Sequence, residues 1–160
     1  MCGIVGYVGR GNALEPVIAG LQNLEYRGYD SAGVAFCTED TIRSIKQVGR
    51  VEALESELAG LRQIKPNTAI GHTRWATHGS PTKQNAHPHF NAAKTIFVVH
   101  NGIIENHEEI RTMLTKKGYL FISHTDTEVI PHLIDYFYNK LGNMDTAFET
   151  AIRELKGAYA

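Results

Sequence analysis

The first eight residues read MCGIVGYV, in which a cysteine at position 2 precedes a short apolar segment. Residues 3–8 predict a strand, and the glycine-rich stretch 9–11 predicts the turn that ends it. Once Met1 is removed, Cys2 carries a thiol and an α-amino group on one residue. Thiols and α-amines titrate within about one pH unit of each other, so such a residue can supply its own base. The alternative is a cysteine that follows the initiator by chance.

Apolar periodicity divides the remaining chain into strands and helices. Helices are predicted at residues 12–28, 51–61, 106–118, 125–141 and 144–155, and strands at 32–37, 41–48, 69–75 and 95–100. Three helices begin at capping-box spacing, namely Asn12 with Glu15, Asn106 with Glu109, and Thr125 with Glu128. Strands grouped before and between paired helices predict an α+β fold of two stacked, mostly antiparallel sheets with helices outside.

Four local features carry further predictions. Asn101-Gly102 is a tight-turn dipeptide, and the apolar pair at 103–104 favours a β-hairpin there. The stretch 76–91 is rich in Gly, Pro, Asn and His and long for a loop, which predicts a lid. Pro131 should kink its helix or mark its first turn. Residues 157–160 are typical of the opening of a strand.

Composition restricts the class of protein. A chain of 160 residues and 17.7 kDa predicts one domain, and no apolar run approaches the roughly 18 residues of a membrane span. The formal charge of -1, with scattered Lys and Arg, argues against a nucleic-acid partner. Two cysteines without a signal segment predict a reducing, cytoplasmic setting. Cys37, within an apolar run, is predicted to be a small buried core residue.

Several strings resemble a known family. Cys2-Gly3-Ile4-Val5-Gly6 resembles the start of the class II glutamine amidotransferases, which are N-terminal nucleophile hydrolases. Four longer strings resemble the glucosamine-6-phosphate synthases within that family: EYRGYDSAG at 25–33, HTRWATHG at 72–79, HNGIIEN at 100–106 and TDTEV at 125–129. The resemblance implies a four-layer αββα sandwich. It also implies hydrolysis of L-glutamine to glutamate and ammonia through a Cys2 thioester, with the nitrogen converting fructose 6-phosphate to glucosamine 6-phosphate in amino-sugar synthesis.

The resemblance assigns catalytic roles to four residues. Cys2 is the nucleophile, and Arg27 orients the Cys2 terminus. The side-chain amide of Asn101 and the backbone N–H of Gly102 form the oxyanion hole, a device whose single donors are each typically worth about 10²- to 10³-fold in rate. Judged from the residues alone, Asn101-Gly102 is equally compatible with a plain turn, and Arg27 with an ordinary surface ion pair.

The resemblance also assigns the binding of glutamine. Arg74 pairs with the α-carboxylate, and Thr77 and His78 add hydrogen bonds. Asp126 binds the α-ammonium, although by position alone it is also a first-turn aspartate favoured by the helix dipole. Trp75 belongs to a mobile loop that covers the site, with a core tryptophan as the alternative.

No metal or other cofactor is expected. His87 and His89 have the closest histidine spacing, but no cysteine or acidic cluster at zinc spacing accompanies them. The resemblance further implies a longer, homo-oligomeric parent with two sugar isomerase domains. Residues 1–160 are therefore expected to form an incomplete glutaminase domain, truncated at its C-terminal end, with the isomerase domains absent.

Two other functional hypotheses stay open. One is an inactive fragment, either truncated or with Met1 retained. The other is an N-terminal-cysteine acyl hydrolase that acts on different amides. Arg74 and Asp126 argue against the second, because together they suit the two charges of an amino acid.

Overall fold

The computed structural model of the chain describes residues 2–61, 63–76 and 79–160. The strands are β1 (Gly3–Val8), β2 (Ser31–Cys37), β3 (Ile42–Val48), β4 (Thr68–Arg74), β5 (His89–Phe90) and β6 (Phe97–Val98). The α-helices are α1 (Leu14–Leu24), α2 (Val51–Leu58), α3 (His107–Thr115), α4 (Val129–Leu141) and α5 (Met144–Glu154). Contacts between residues divide the chain into two units, Met1–Pro88 and His89–Ala160.

The first unit is an antiparallel sheet covered by two helices. Its strand order is β1-β4-β2-β3, so β4 and β2 are central. Helices α1 and α2 pack on the sheet, and their apolar residues share one core with β2. The most deeply buried large side chains of this core are Val17, Leu21, Val51, Leu54, Val34 and Phe36. Strand β2 is buried at six of its seven positions, as expected of a central strand.

A glycine in β2 permits a close backbone approach. A Cβ atom on Gly33 would lie 2.0 Å from the carbonyl oxygen of His87. The segment before Pro88 therefore lies against the sheet, and the ring of His87 stacks on that of His72 from β4 with centroids 4.1 Å apart. Only a residue without a side chain fits at position 33.

The second unit consists of three helices and two strand pairings. Its core contains Ile104, Leu114, Val129, Leu133 and Ala151, all almost fully buried. Strands β5 and β6 form a short antiparallel pair, which contacts α4. Residues 156–160 run antiparallel to residues 101–105. The predicted strand opening at the end of the chain is thus confirmed.

The structure confirms the α+β class and most of the predicted elements, but it corrects three local predictions. Asn101-Gly102 is not a hairpin turn, because the N–H of Asn101 donates to Ala160 O at 2.8 Å and the N–H of Ala160 donates back at the same distance. The turn signal is outweighed by pairing with the distant segment. Cys37 is half-buried rather than a core residue, because β2 ends there and the chain continues into the exposed turn 39–41.

The third correction concerns helix caps. Asn106 and Glu128 immediately precede α3 and α4, but neither helix has a side-chain cap. The acceptor oxygens of these residues bond to more distant backbone groups instead. Pro131 falls in the first turn of α4, as predicted. Residues 85–87 of the predicted lid are buried, which restricts any lid to the residues before them.

Candidate active site

The first unit places Cys2 beside the end of β4. Strand β1 pairs with β4 in a register that sets Gly3 opposite Thr73, so Cys2 stands at the level of Arg74. The backbone N–H of Trp75 donates to Cys2 Sγ at 3.2 Å, and the thiol lies 3.6 Å from the carbonyl oxygen of Trp75. Cys2 is half-buried, and its sulfur contacts backbone groups of Trp75, the residue just beyond the end of β4.

Arg74 ends β4 and is 4% exposed. Its guanidinium donates to Gly79 O at 3.1 Å and lies 3.9 Å from Asp30 Oδ1. The carboxylate of Asp30 also accepts from the N–H of Ala76 and from Ser31 Oγ, the latter at 2.9 Å. Asp30 thus joins Arg74 to Ala76, two residues further along the chain. Sequence reasoning assigned it no role, although it lies inside the string EYRGYDSAG.

The ring of Trp75 lies against Gly28, the residue that follows Arg27. Gly28 has a φ of +97°, and a Cβ atom there would lie 1.7 Å from the indole of Trp75. The ring therefore rests directly on the Gly28 backbone while 52% of the residue stays exposed. This agrees with the expectation that Trp75 is not a core residue. Arg27 is the last residue of a 3-10 turn, Glu25–Arg27, that leads into Gly28.

Thr77 and His78, predicted to hydrogen-bond the substrate, lie outside the described residues. Within the described part of the chain, no three His, Cys, Asp or Glu side chains are grouped as metal ligands. No described helix is long and apolar enough to cross a membrane.

In the second unit, Asn101 and Gly102 lie on the extended segment that pairs with the end of the chain. Gly102 has a φ of +120° and bridges to Tyr159, and a Cβ atom there would lie 2.3 Å from Ala158 O. This position requires glycine for both its backbone angle and its space. The backbone around the candidate oxyanion-hole donors is therefore fixed by pairing with residues 156–160.

Asp126 is 7% exposed and lies three positions before the first residue of α4. Its Oδ2 accepts the backbone N–H of Ile104 at 2.8 Å, which joins it to the segment that carries Gly102. His100 Nδ1 lies 2.9 Å from Thr127 Oγ1. Burial lowers the pKa of His100 and outweighs the opposing effect of the Asp126 charge.

The candidate residues therefore form two groups. Cys2, Arg27, Arg74 and Trp75 cluster at one end of the first sheet. Asn101, Gly102 and Asp126 are connected through Ile104 in the second unit. The first group offers a thiol and a cation. The second offers N–H donors and an anion. Each of these groups has chemistry that suits the binding of a charged amino acid or the cleavage of an amide.

Comparison with known proteins agrees with this chemistry. The profile described as "Glutamine amidotransferase domain" matches residues 72–160, more than half of the chain. The chain belongs to the glutamine amidotransferase domain family.

Two curated relatives match over the full chain. Glutamine–fructose-6-phosphate aminotransferase (isomerizing) of Clostridium tetani is 54% identical, and that of Clostridium acetobutylicum is 55% identical; each alignment covers 100% of this chain and 26% of the relative. The chain thus spans about a quarter of these relatives' length. Among solved structures, glutamine phosphoribosylpyrophosphate amidotransferase from B. subtilis matches 100% of this chain and 34% of its own, at 27% identity and a TM-score of 0.81. These likenesses support the predicted fold class.

Proposed function

We propose that this domain hydrolyses the side-chain amide of L-glutamine, with Cys2 as nucleophile. The observation that carries the proposal is the placement of Cys2 Sγ against the N–H of Trp75, one residue beyond Arg74. A nucleophile and a buried guanidinium, which pairs well with a carboxylate, thus stand at one end of one sheet. The thiol attacks the amide carbon, ammonia leaves, and water releases glutamate from the thioester.

The other groups follow from the charges on glutamine. Arg74, with Thr77 and His78, binds the α-carboxylate, and Asp126 binds the α-ammonium. The Asn101 amide and the Gly102 N–H stabilise the oxyanion, Arg27 orients the Cys2 terminus, and Trp75 covers the substrate. The α-amine of Cys2 acts as base, which requires removal of Met1 because an amide nitrogen is not basic.

For the longer protein, we propose conversion of fructose 6-phosphate to glucosamine 6-phosphate with the nitrogen released here. The support is the name of the relatives that match the full chain. Residues 1–160 are then an incomplete glutaminase domain, and sugar isomerase domains make up the remaining length of a cytoplasmic homo-oligomer. The formal charge of -1 supports the absence of a nucleic-acid partner.

The nucleophile is tested by Cys2→Ala and Cys2→Ser in the native chain that carries this domain. Glutamate release should fall to background, whereas ammonia-dependent activity should persist because it bypasses the thioester. Cys37→Ala is the matched control and should keep normal turnover. Near-normal glutaminase activity of Cys2→Ala would contradict the assignment.

The base is tested by comparing this domain with and without Met1, together with a longer chain without it. Glutamate release is measured for all three. We expect substantial activity only in the longer processed chain, since misplacement of reacting groups by about 1 Å can cost about 10²-fold. Rapid turnover by the Met1-bearing form would exclude the α-amine as base.

A further inference from the structure

The loop that carries Asp126 is held by one buried carboxylate. Glu128 is 2% exposed and directly precedes α4. Its Oε1 accepts the N–H of Ile122 at 2.9 Å, and its Oε2 accepts the N–H of Ser123 at 2.7 Å and the hydroxyl of Ser123 at 2.6 Å. Three donors from two adjacent residues thus converge on one side chain, which links the start of the loop to the start of α4.

Glu128 is an anion in this environment. Burial by itself would raise its pKa, but the imidazole of His132, whose Nε2 lies 3.7 Å from Oε1, and the hydrogen bonds from Ile122 and Ser123 outweigh burial and lower the pKa to about 2. The carboxylate therefore only accepts hydrogen bonds at neutral pH.

The anion fixes the direction of a hydrogen-bond chain. Ser123 gives its single hydroxyl proton to Glu128, so at the 3.0 Å contact with Thr125 Oγ1 it must accept. Thr125 Oγ1 therefore donates its proton to Ser123 Oγ, and it accepts a hydrogen bond from His89 Nε2 at 3.1 Å. This order places the proton of His89 on Nε2. The chain runs through the residues immediately before Asp126 and ends on β5.

Arg111 supports the same loop from α3. Its guanidinium donates to Thr125 O at 2.7 Å and to Ser123 O at 3.4 Å, and it stacks 4.3 Å from the ring centroid of Phe121. The residues before Asp126 are thus held through side chains and carbonyls alike. Asp126 itself then reaches Ile104 N, two residues beyond Gly102.

We propose that Glu128 is a positioning residue that holds the Asp126 carboxylate where it can meet the α-ammonium of glutamine. The inference rests on the proposed function, because it assumes that Asp126 binds the α-ammonium of glutamine. Glu128 itself does not touch the substrate. Loss of the carboxylate should loosen the 122–127 loop, and Asp126 should then move relative to the Ile104 N–H.

The kinetic test uses the native chain and two substrates. L-Glutamine carries the α-ammonium, and 5-amino-5-oxopentanoate is the same amide without it. Glu128→Gln replaces one acceptor oxygen by an NH₂ group that faces N–H donors. For glutamine we expect kcat/KM to fall about tenfold, mostly through KM, as for loss of a hydrogen bond to a charged group. For 5-amino-5-oxopentanoate we expect a change of less than about twofold, since Asp126 has no partner on that substrate.

If Glu128→Gln does not fold, a milder substitution in the same hydrogen-bond network tests the inference. Ser123→Ala keeps both backbone donors to Glu128 but removes the hydroxyl link to Thr125. It should lower kcat/KM for glutamine about threefold and leave kcat/KM for 5-amino-5-oxopentanoate almost unchanged. Glu149→Gln is the matched control, because that carboxylate is exposed on α5 beside Arg153. It should leave both substrates unchanged.

Amide hydrogen exchange gives a readout independent of activity. Glu128→Gln should accelerate exchange at Ile122 and Ser123 directly, and at Ile104 about tenfold through Asp126. Protection at Ile104 that stays at the wild-type level would overturn the inference. Equal losses for the two substrates would also overturn it, because they would indicate a purely structural role.

A double-mutant cycle separates the inference from the proposed function. If Glu128 acts through Asp126, Glu128→Gln should add less than about twofold in an Asp126→Asn background. Independent, multiplied losses would overturn the inference and leave the role of Asp126 intact. If Asp126→Asn fails to distinguish the two substrates, the proposed ammonium site is wrong, and the role of Glu128 falls with it.

Discussion

The two units fix their candidate residues by different means. In the first unit, Cys2 and Arg74 stand at adjacent strand ends, so the backbone hydrogen bonds of β1 and β4 set their spacing. In the second unit, Asp126 lies on a loop without regular structure, and side chains such as Glu128 and Arg111 hold it. A sheet fixes position through many equivalent bonds. A polar network depends on a few groups, each costly to lose when buried.

The first unit, whose candidate residues are positioned by the sheet, should lose the most stability when the packing of that sheet is obstructed. Gly33→Ala places a methyl group 2.0 Å from the carbonyl oxygen of His87, so either β2 or the segment before Pro88 must move. We expect the free energy of unfolding to fall by about 4 kcal/mol, as for severe overpacking against backbone. Urea denaturation measures this.

Gly6→Ala is the control within the same sheet. Among the residues that the structure describes, its Cβ would meet only Ile70 Cγ2, at 4.0 Å. Stability should therefore change by less than about 0.5 kcal/mol or rise slightly, because alanine is less flexible than glycine in the unfolded chain. Similar losses for the two variants would show that the close approach at Gly33 is unimportant.

The second unit, in which a polar network around Glu128 holds the loop 122–127, should lose stability in acid. The pKa of Glu128 is about 2 in the folded protein against an ordinary value of 4.5, so its ionised form stabilises the fold. This contribution is complete above about pH 4.5 and is lost as the pH falls through the folded pKa. Linkage gives about 3 kcal/mol in total, of which about 2 kcal/mol is lost by pH 3.

Urea unfolding of wild type and Glu128→Gln between pH 7 and pH 3 measures the contribution. The stability difference between the two proteins should shrink by about 2 kcal/mol over that range. The difference between wild type and Glu149→Gln should stay close to zero throughout. A wild-type-minus-Glu128→Gln difference that does not depend on pH would mean that Glu128 is not ionised in the folded state.

Substitution of Arg74 tests whether glutamine binding depends on the shape of the guanidinium as well as on its charge. Arg74→Lys keeps the cation but loses the planar fork, so kcat/KM for glutamine should fall about 30-fold, equivalent to about 2 kcal/mol. Arg43→Lys, on the exposed side of β3, should have no effect. Wild-type kinetics for Arg74→Lys would argue for a general amidase without a carboxylate site.

The same difference explains what could be predicted from the sequence. Strands of the first unit follow from local apolar patterns, and β1 to β4 agree with the predicted segments to within one residue at each end. The hairpin at Asn101-Gly102 was wrong because its true partner, 156–160, is more than 50 residues away in sequence. The buried ties of Glu128 were missed because its spacing from Thr125 also matches a capping box. Asp30 was visible only as one letter of a motif.

The smallest expected effect concerns Asn106, where the sequence and the structure assign different partners. Capping-box spacing predicts a bond to the start of α3, but Asn106 Nδ2 donates to Glu154 O at 2.8 Å and its Oδ1 accepts Lys156 N–H at 2.9 Å. These bonds tie the end of α5 to the segment that carries Gly102.

Serine is as good a helix cap as asparagine but is too short for this link. Asn106→Ser should therefore lower the free energy of unfolding by about 1 kcal/mol, since exposed bonds contribute modestly. Amide exchange at Asn101 and Ala160 should accelerate in parallel. An unchanged stability for Asn106→Ser, together with a loss for Asn106→Ala, would favour the capping role.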